Sequence, residues 1–186
     1  MMILVTGGSG SGKSEYAENR IVELTEDCDR YYIATMQVYD EEGQKRIARH
    51  RQMRSGKGFA TIEQQTDIEK SIEKMQESSP DRRAALLECM SNLVANEMFA
   101  AGKITDKKAV VGKIIAGMER LKESVAHLVI VSNNVFEDGI LYDQTTMDYI
   151  EAIGQINGQL ARMADEVVEV VAGIPVINSR KKERGK

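Results

Sequence analysis

The sequence predicts an α/β protein, three layers deep, with a mainly parallel central sheet between helices. Three observations predict it. Short apolar runs alternate with helix-length amphipathic stretches along the chain. Strands that follow one another through helices pair in parallel with right-handed crossovers, because a tight turn cannot join parallel neighbours. The first such junction carries a segment almost without side chains, "GGSGSGKS" from Gly7 to Ser14.

Taken in order, Ile3-Leu4-Val5 reads as a strand and Lys13 to about Leu24 as a helix. Tyr31 to Ala34 reads as the next strand, followed by a charged helical stretch from about Glu41 to Arg54. Ala84 to Leu87 is a strand leading into a helix from Met90 to Ala101, and a second helix runs from Lys107 to Ser124. Leu128 to Val131 follows as a strand. From Thr145 to Ala164, residues Ile150, Ile153, Ile156, Leu160 and Met163 recur at the spacing of one buried helix face. Val167 to Val171 closes as a strand. Residues 1–178 are expected to form a single domain, and 179–186 a basic, frayed tail.

Composition bounds the function classes. The chain has 186 residues, 42% hydrophobic and 29% charged, which suits one folded, water-exposed domain with a core of its own. A formal net charge of −4 argues against broad binding to nucleic-acid backbones. The two cysteines, Cys28 and Cys89, have neither metal-ligand spacing nor a disulfide framework, so a reducing cytoplasm is expected. No apolar stretch approaches the length of about 20 residues that spans a bilayer, and no secretory signal pattern precedes Gly7.

Gly7, Gly12, Lys13 and Ser14 fit G-x-x-x-x-G-K-[ST] at a strand-to-helix turn, the context that this phosphate-binding pattern demands. The chemistry accounts for the composition. Successive N–H groups must turn inward around phosphate oxygens, and glycine permits the backbone angles and the close approach. The backbone of Gly7, Gly8, Ser9, Gly10, Ser11 and Gly12 is therefore expected to cradle a triphosphate. Lys13 reaches its outer phosphates, and the Ser14 hydroxyl is a ligand for Mg²⁺. A second acid is needed near that ion at the end of a neighbouring strand, and Glu88, directly after Leu87, is the candidate. Taken alone, it is equally a strand end meeting water.

"KRIARHRQMR", Lys45 to Arg54, places Arg46, His50 and Arg54 on one face of a helix. In an arbitrary protein this is a solvated basic face. Beside a phosphate-binding loop it has a second meaning. Positive neighbours disfavour imidazolium, leaving His50 neutral and nucleophilic while the arginines hold phosphate oxygens. His127, at the start of an apolar strand, reads as structural.

These segments together resemble the bifunctional adenosylcobinamide kinase and adenosylcobinamide-phosphate guanylyltransferase family of cobalamin biosynthesis. "MMILVTGGSGSGKSEYAE", "YIAT" at Tyr32 to Thr35, "RIARHR" at Arg46 to Arg51, "LLEC" at Leu86 to Cys89 and "NGQLARMADEVVEVVAGIPV" from Asn157 carry the resemblance. It implies a RecA-like P-loop fold, assembly as a homotrimer, and two reactions. One phosphorylates the aminopropanol hydroxyl of adenosylcobinamide with GTP or ATP. The other moves GMP from GTP to that phosphate through a covalent guanylyl-histidine, releasing pyrophosphate. By the same resemblance His50 is the guanylylated histidine. Thr35, Met36, Gln37, Arg51, Gln52, Met53, Arg54, Glu63 and Glu88 join Gly7 to Ser14 as nucleotide-binding positions. The partners implied are a corrinoid and a nucleotide.

The departures from the family are local. Ser55 and Phe59 replace a proline and a tryptophan, with one extra residue before Glu63. Asn134 stands where the family has an acid, and Phe136 where it has glycine. The arginine and phenylalanine positions that usually follow are lost within Tyr142 to Ala152. The changed region is expected to belong to the corrinoid or kinase-acceptor side, with one activity or the preferred acceptor shifted. From the residues themselves two other readings stay open: a P-loop kinase for another small hydroxyl compound, and a GTP-binding module without turnover.

Overall fold

The computed structural model describes residues 1–25, 28–37, 56–75, 79–134, 140 and 142–181. Its elements are β1 (Met2–Thr6), α1 (Lys13–Leu24), β2 (Asp29–Ala34), β3 (Phe59–Glu63) and β4 (Arg83–Glu88). Next come α2 (Met90–Met98), α3 (Lys107–Glu123), β5 (His127–Val131), α4 (Gln144–Met163), β6 (Glu166–Val171) and β7 (Ile174–Arg180). The strands form one 7-stranded sheet in the order β3-β2-β4-β5-β1-β6-β7. Every neighbouring pair is parallel except β6 with β7.

The apolar runs form strands because both of their faces are covered, so successive residues are buried on opposite sides. Met2 and Leu4 turn with Ile33, Leu87 and Ile130 towards α2, α3 and α4. Ile3 and Val5 turn with Tyr32, Leu86 and Val129 towards Ala17 and Ile21 of α1. Each fully buried aliphatic chain contributes about 1.5–3 kcal/mol, which makes the inner strands the framework on which loops are hung. No described helix is long and apolar enough to cross a membrane.

The two longest described helices begin at side-chain caps. Asp106 accepts from the N–H groups of Lys108 and Ala109 at 3.0 and 3.2 Å, and Asp143 from those of Thr145 and Thr146 at 3.0 and 3.1 Å. Helix α1 begins differently. Its cap is Gly12 at φ 91°, and no side-chain cap takes up its first N–H groups.

The expected strands are all present, and two more join them. β3 adds an edge beyond β2, with Ala34 opposite Glu63. β7 folds back on β6 through a tight turn, Ala172 at φ 50° and Gly173 at φ 82°. Such turns match the twist of a hairpin and favour glycine at positive φ. β7 corrects the expected start of the tail. Ser179 and Arg180 lie in the sheet, and the Arg180 guanidinium donates to the buried Glu166 carboxylate at 2.9 Å. The helix expected to reach Ala101 ends at Met98 and gives way to a 3-10 turn at Ala100–Gly102. The helix expected over 41–54 lies outside the described residues.

Helix α3 contains two glycines in opposite situations. A Cβ on Gly117 would meet Ile68 Cγ2 at 2.7 Å and Glu69 Oε2 at 3.1 Å, so this glycine lets the 3-10 segment Ile68–Lys74 lie against the helix. Around Gly112 there is open space. Gly117→Ala is expected to destabilise by about 1–3 kcal/mol through overpacking. Gly112→Ala is expected to stabilise by about 0.5–1 kcal/mol through helix propensity. Denaturant melts of the two variants check the opposite signs.

Candidate functional site

Parallel strands deliver their C-terminal ends to one edge of the sheet, and most of the sequence-predicted site residues gather there. Gly7 to Ser14 connect β1 to α1. Gly7, Gly10 and Gly12 have φ of 152°, 71° and 91°. At Gly7 space matters as well as angle: a Cβ there would stand 2.6 Å from both Ser11 Oγ and the Val170 carbonyl oxygen. The loop is braced from two sides. The Gly173 N–H of the β6–β7 turn donates to Ser11 O at 2.8 Å, and the Asn134 N–H donates to Gly7 O at 3.3 Å.

Lys13 bends back across the loop, its ammonium donating to Gly8 O at 2.9 Å. The residue is 8% exposed. Burial pushes its pKa below the ordinary lysine value, opposed by Cys89 and by the Glu88 carboxylate. A buried ammonium with incomplete counter-charge beside an uncapped helix start is a place where a phosphate is favourable.

The Ser14 hydroxyl donates to one oxygen of Glu88, and the Tyr32 hydroxyl donates to the other at 3.2 Å. The two residues expected to hold Mg²⁺ are thus in direct contact across 74 positions of sequence. A hydroxyl and a carboxylate are hard oxygen donors of the kind Mg²⁺ takes, and that ion keeps several waters and phosphate oxygens besides. Among the described residues no group of three or more His, Cys, Asp or Glu side chains gathers to form an all-protein cage. The donor set fits Mg²⁺ held jointly with a nucleotide.

Thr35 has a different place from the one expected. It is fully buried, and its hydroxyl lies 3.0 Å from Glu88 O and 2.8 Å from Cys89 O while accepting from the Cys89 N–H at 2.8 Å. Its own N–H donates to Glu88 O at 3.0 Å. Thr35 therefore supports Glu88 from behind. Met36 and Gln37 follow it, half-buried, at the end of β2. Glu63, exposed at the end of β3, and Glu88 at the end of β4 flank Ala34 of β2 on either side. His50, Arg51, Gln52, Met53 and Arg54 lie outside the described residues. Just beyond them, Lys57 donates to the buried Glu18 carboxylate at 2.8 Å and to Asn19 Oδ1 at 3.1 Å on α1.

Tyr32 was concealed in the sequence inside an apolar strand, and only the pairing of β2 with β4 brings it to Glu88. Asn134, where the resemblance implies an acid, donates its amide to Glu169 of β6 at 2.8 Å. A carboxylate at 134 would face Glu169 as a like charge. His127 sits at the opposite edge, at the start of β5, where burial and the amino terminus lower its pKa, in keeping with a structural role.

The sequence model of the family described as cobinamide kinase / cobinamide phosphate guanyltransferase matches residues 3–177. The chain is 33% identical to the bifunctional adenosylcobalamin biosynthesis protein CobU of Escherichia coli, covering 95% of this chain and 98% of the relative. It is 34% identical to the protein of the same name from Salmonella typhimurium, again over 95% and 98%. Among solved structures it is similar to an ATPase domain, with a TM-score of 0.50 and 12% identity, over 90% of this chain and 68% of that one. It is also similar to a KaiC-like protein of Pyrococcus horikoshii, with a TM-score of 0.53 and 11% identity, over 100% and 81%. At these identities the structures show the fold alone, which is the RecA-like P-loop fold.

Two variants test the geometry. Gly7→Ala has no room for its methyl against the Val170 carbonyl, and is expected to weaken nucleotide binding at least tenfold with the fold retained, as titration calorimetry and circular dichroism would read. Asn134→Asp is expected to lower stability by about 1 kcal/mol, since a part-buried hydrogen bond becomes a like-charge contact. Adding Glu169→Gln should restore it in denaturant melts.

Proposed function

The chain belongs to the cobinamide kinase / cobinamide phosphate guanyltransferase family, and from that premise we propose that it carries out two transfers at one phosphate-binding loop. The first moves the terminal phosphoryl group of GTP or ATP to the aminopropanol hydroxyl of adenosylcobinamide. The second moves GMP from GTP to that phosphate, giving adenosylcobinamide-GDP and pyrophosphate. The observation that carries the reading is the Ser14–Glu88 contact beside a helix start left uncapped at Gly12.

Within this reading the loop N–H groups and Lys13 bind the phosphates in both reactions. Phosphoryl and nucleotidyl transfer rely chiefly on positioning and on electrostatic stabilisation of moving negative charge. Mg²⁺, when bound by Ser14 and Glu88, supplies charge neutralisation on the phosphate oxygens. Lys13, now turned to Gly8 O, would turn to the phosphates and gain a counter-charge that offsets the hydration lost on burial. Tyr32, through the Glu88 carboxylate, and Thr35, through its backbone, keep Glu88 in place.

In the guanylyl step a ring nitrogen of His50 attacks the α-phosphorus of GTP. The bond from that phosphorus to the bridging oxygen breaks, and pyrophosphate leaves. A phosphate oxygen of adenosylcobinamide phosphate then attacks the same phosphorus, the P–N bond breaks, and the imidazole is regenerated. Arg51 and Arg54 are the cations proposed to hold the phosphates during both displacements. Assembly as a homotrimer belongs to the same proposal.

The test uses GTP labelled at the α-phosphate, incubated with the protein and Mg²⁺. Label is expected to become covalently attached in an acid-labile, base-stable form, and His50→Ala is expected to remove it. Absence of an adduct on the native protein, or an undiminished one on the variant, would sink the nucleophile assignment.

A further inference from the structure

Asn96, half-buried on α2, is bonded to two loops at once. Its side-chain N–H groups donate to Thr35 O at 2.8 Å and to Gln65 O at 2.9 Å. Thr35 opens the strip that follows β2, and Gln65 lies two residues past Glu63 at the end of β3. The ladder between β2 and β3 finishes at Ala34 opposite Glu63, with one further bond from the Gln64 N–H to Ala34 O at 2.9 Å. Past that bond the spacing of the two strips is set by what reaches them from outside the sheet. A primary amide carries two N–H donors on one nitrogen, so a single side chain can hold both carbonyls.

The neighbouring residue fixes the same loop further along. Glu97, 7% exposed, accepts from the Asp67 N–H at 2.7 Å and from the Lys113 ammonium at 2.6 Å. Asp67 is held at φ 49°, a left-handed conformation that non-glycine residues adopt when their surroundings impose it. Asn96 also belongs to a continuous bonded path. It runs from Gln65 through Asn96 to Thr35, from Thr35 to the Glu88–Cys89 backbone, and from the Glu88 carboxylate to Ser14.

The strips that Asn96 joins lie on the far side of Glu88 from the phosphate loop. In the strand order β3-β2-β4, β2 is one position from β4, whose Glu88 meets Ser14, and β3 is two. At the usual strand spacing that is about 5 and 10 Å past Glu88, so these strips face what extends beyond the Ser14–Glu88 contact. We infer that Asn96 is a positioning residue: by holding Thr35 O and Gln65 O it sets the spacing at which Met36 and Gln37, just past Thr35, and Glu63 grip the nucleoside end of the nucleotide. The inference rests on the proposed function together with the family resemblance that makes Met36, Gln37 and Glu63 nucleotide-binding positions.

The test separates the nucleoside end from the phosphates by using two ligands, GTP and inorganic tripolyphosphate, each with Mg²⁺. Asn96→Leu removes both donors while keeping the size of the side chain. It is expected to weaken GTP binding about tenfold and to leave tripolyphosphate binding within about twofold. Should this variant not fold, Asn96→Ser, shorter and polar, carries the same comparison. Unchanged GTP affinity would overturn the inference, and so would an equal loss for both ligands, which is what a general disturbance of the fold produces. Failure of the unmutated protein to bind GTP would overturn instead the functional reading beneath it.

Discussion

Ser14 and Glu88 meet because β1 and β4 end at the same edge of a parallel sheet with only β5 between them. Much of the site depends on this contact. It needs the loop to turn sharply enough for α1 to start directly over the sheet, which the left-handed Gly12 permits. It needs Glu88 held at the end of its strand, which Thr35 and Tyr32 do from β2. The framework that permits it is apolar: β1, β4 and β5 are buried on both faces, and a shift of one residue in any of them would exchange those faces.

The electrostatics of the loop run against the stability of the ligand-free protein. Lys13 is buried with a lowered pKa, and the first N–H groups of α1 have no side-chain cap. The two longest helices do not leave such ends open, since Asp106 and Asp143 cap α3 and α4. A lowered lysine pKa means that the folded state binds its proton less readily than the unfolded chain. Stability is therefore lost as pH falls from the ordinary lysine value through the lowered one, and the loss is complete below it. A phosphate supplies what is missing on both counts. The region is thus arranged for an anion rather than for maximal stability, as binding sites commonly are.

Much of this was legible in the sequence because it is local. A strand, a glycine-rich turn and a lysine on the following helix occupy consecutive positions, and the buried strands declare themselves by apolar runs. β3 was not legible, since Phe59 to Glu63 mixes exposed and buried residues at an edge. β7 escaped because its seven residues are all exposed and give no burial signal, although the Ala172-Gly173 pair marks the turn. Thr35 shows a subtler limit. Its position was readable, but its full burial against the Glu88–Cys89 backbone is a tertiary fact. Asn96 carried no mark at all, because an asparagine inside a helix acquires meaning only from the loops that reach it.

Two transfers can share one loop because the loop recognises what they have in common. Backbone N–H groups and Lys13 bind phosphate oxygens whichever phosphorus is attacked, so changing the reaction requires a different nucleophile, not a different cradle. In the proposed kinase step the acceptor hydroxyl comes to the terminal phosphorus, and in the guanylyl step a histidine comes to the innermost one. Discrimination then falls to the surroundings of the loop. Asn134 braces Gly7 through its backbone and binds Glu169 through its amide. An acid at 134, which the resemblance implies for the family, would oppose Glu169, whereas Asn134 donates to it. The segment after β5 is thereby tied both to the loop and to β6, so a change at 134 reaches the surroundings of the loop without altering the loop's own residues.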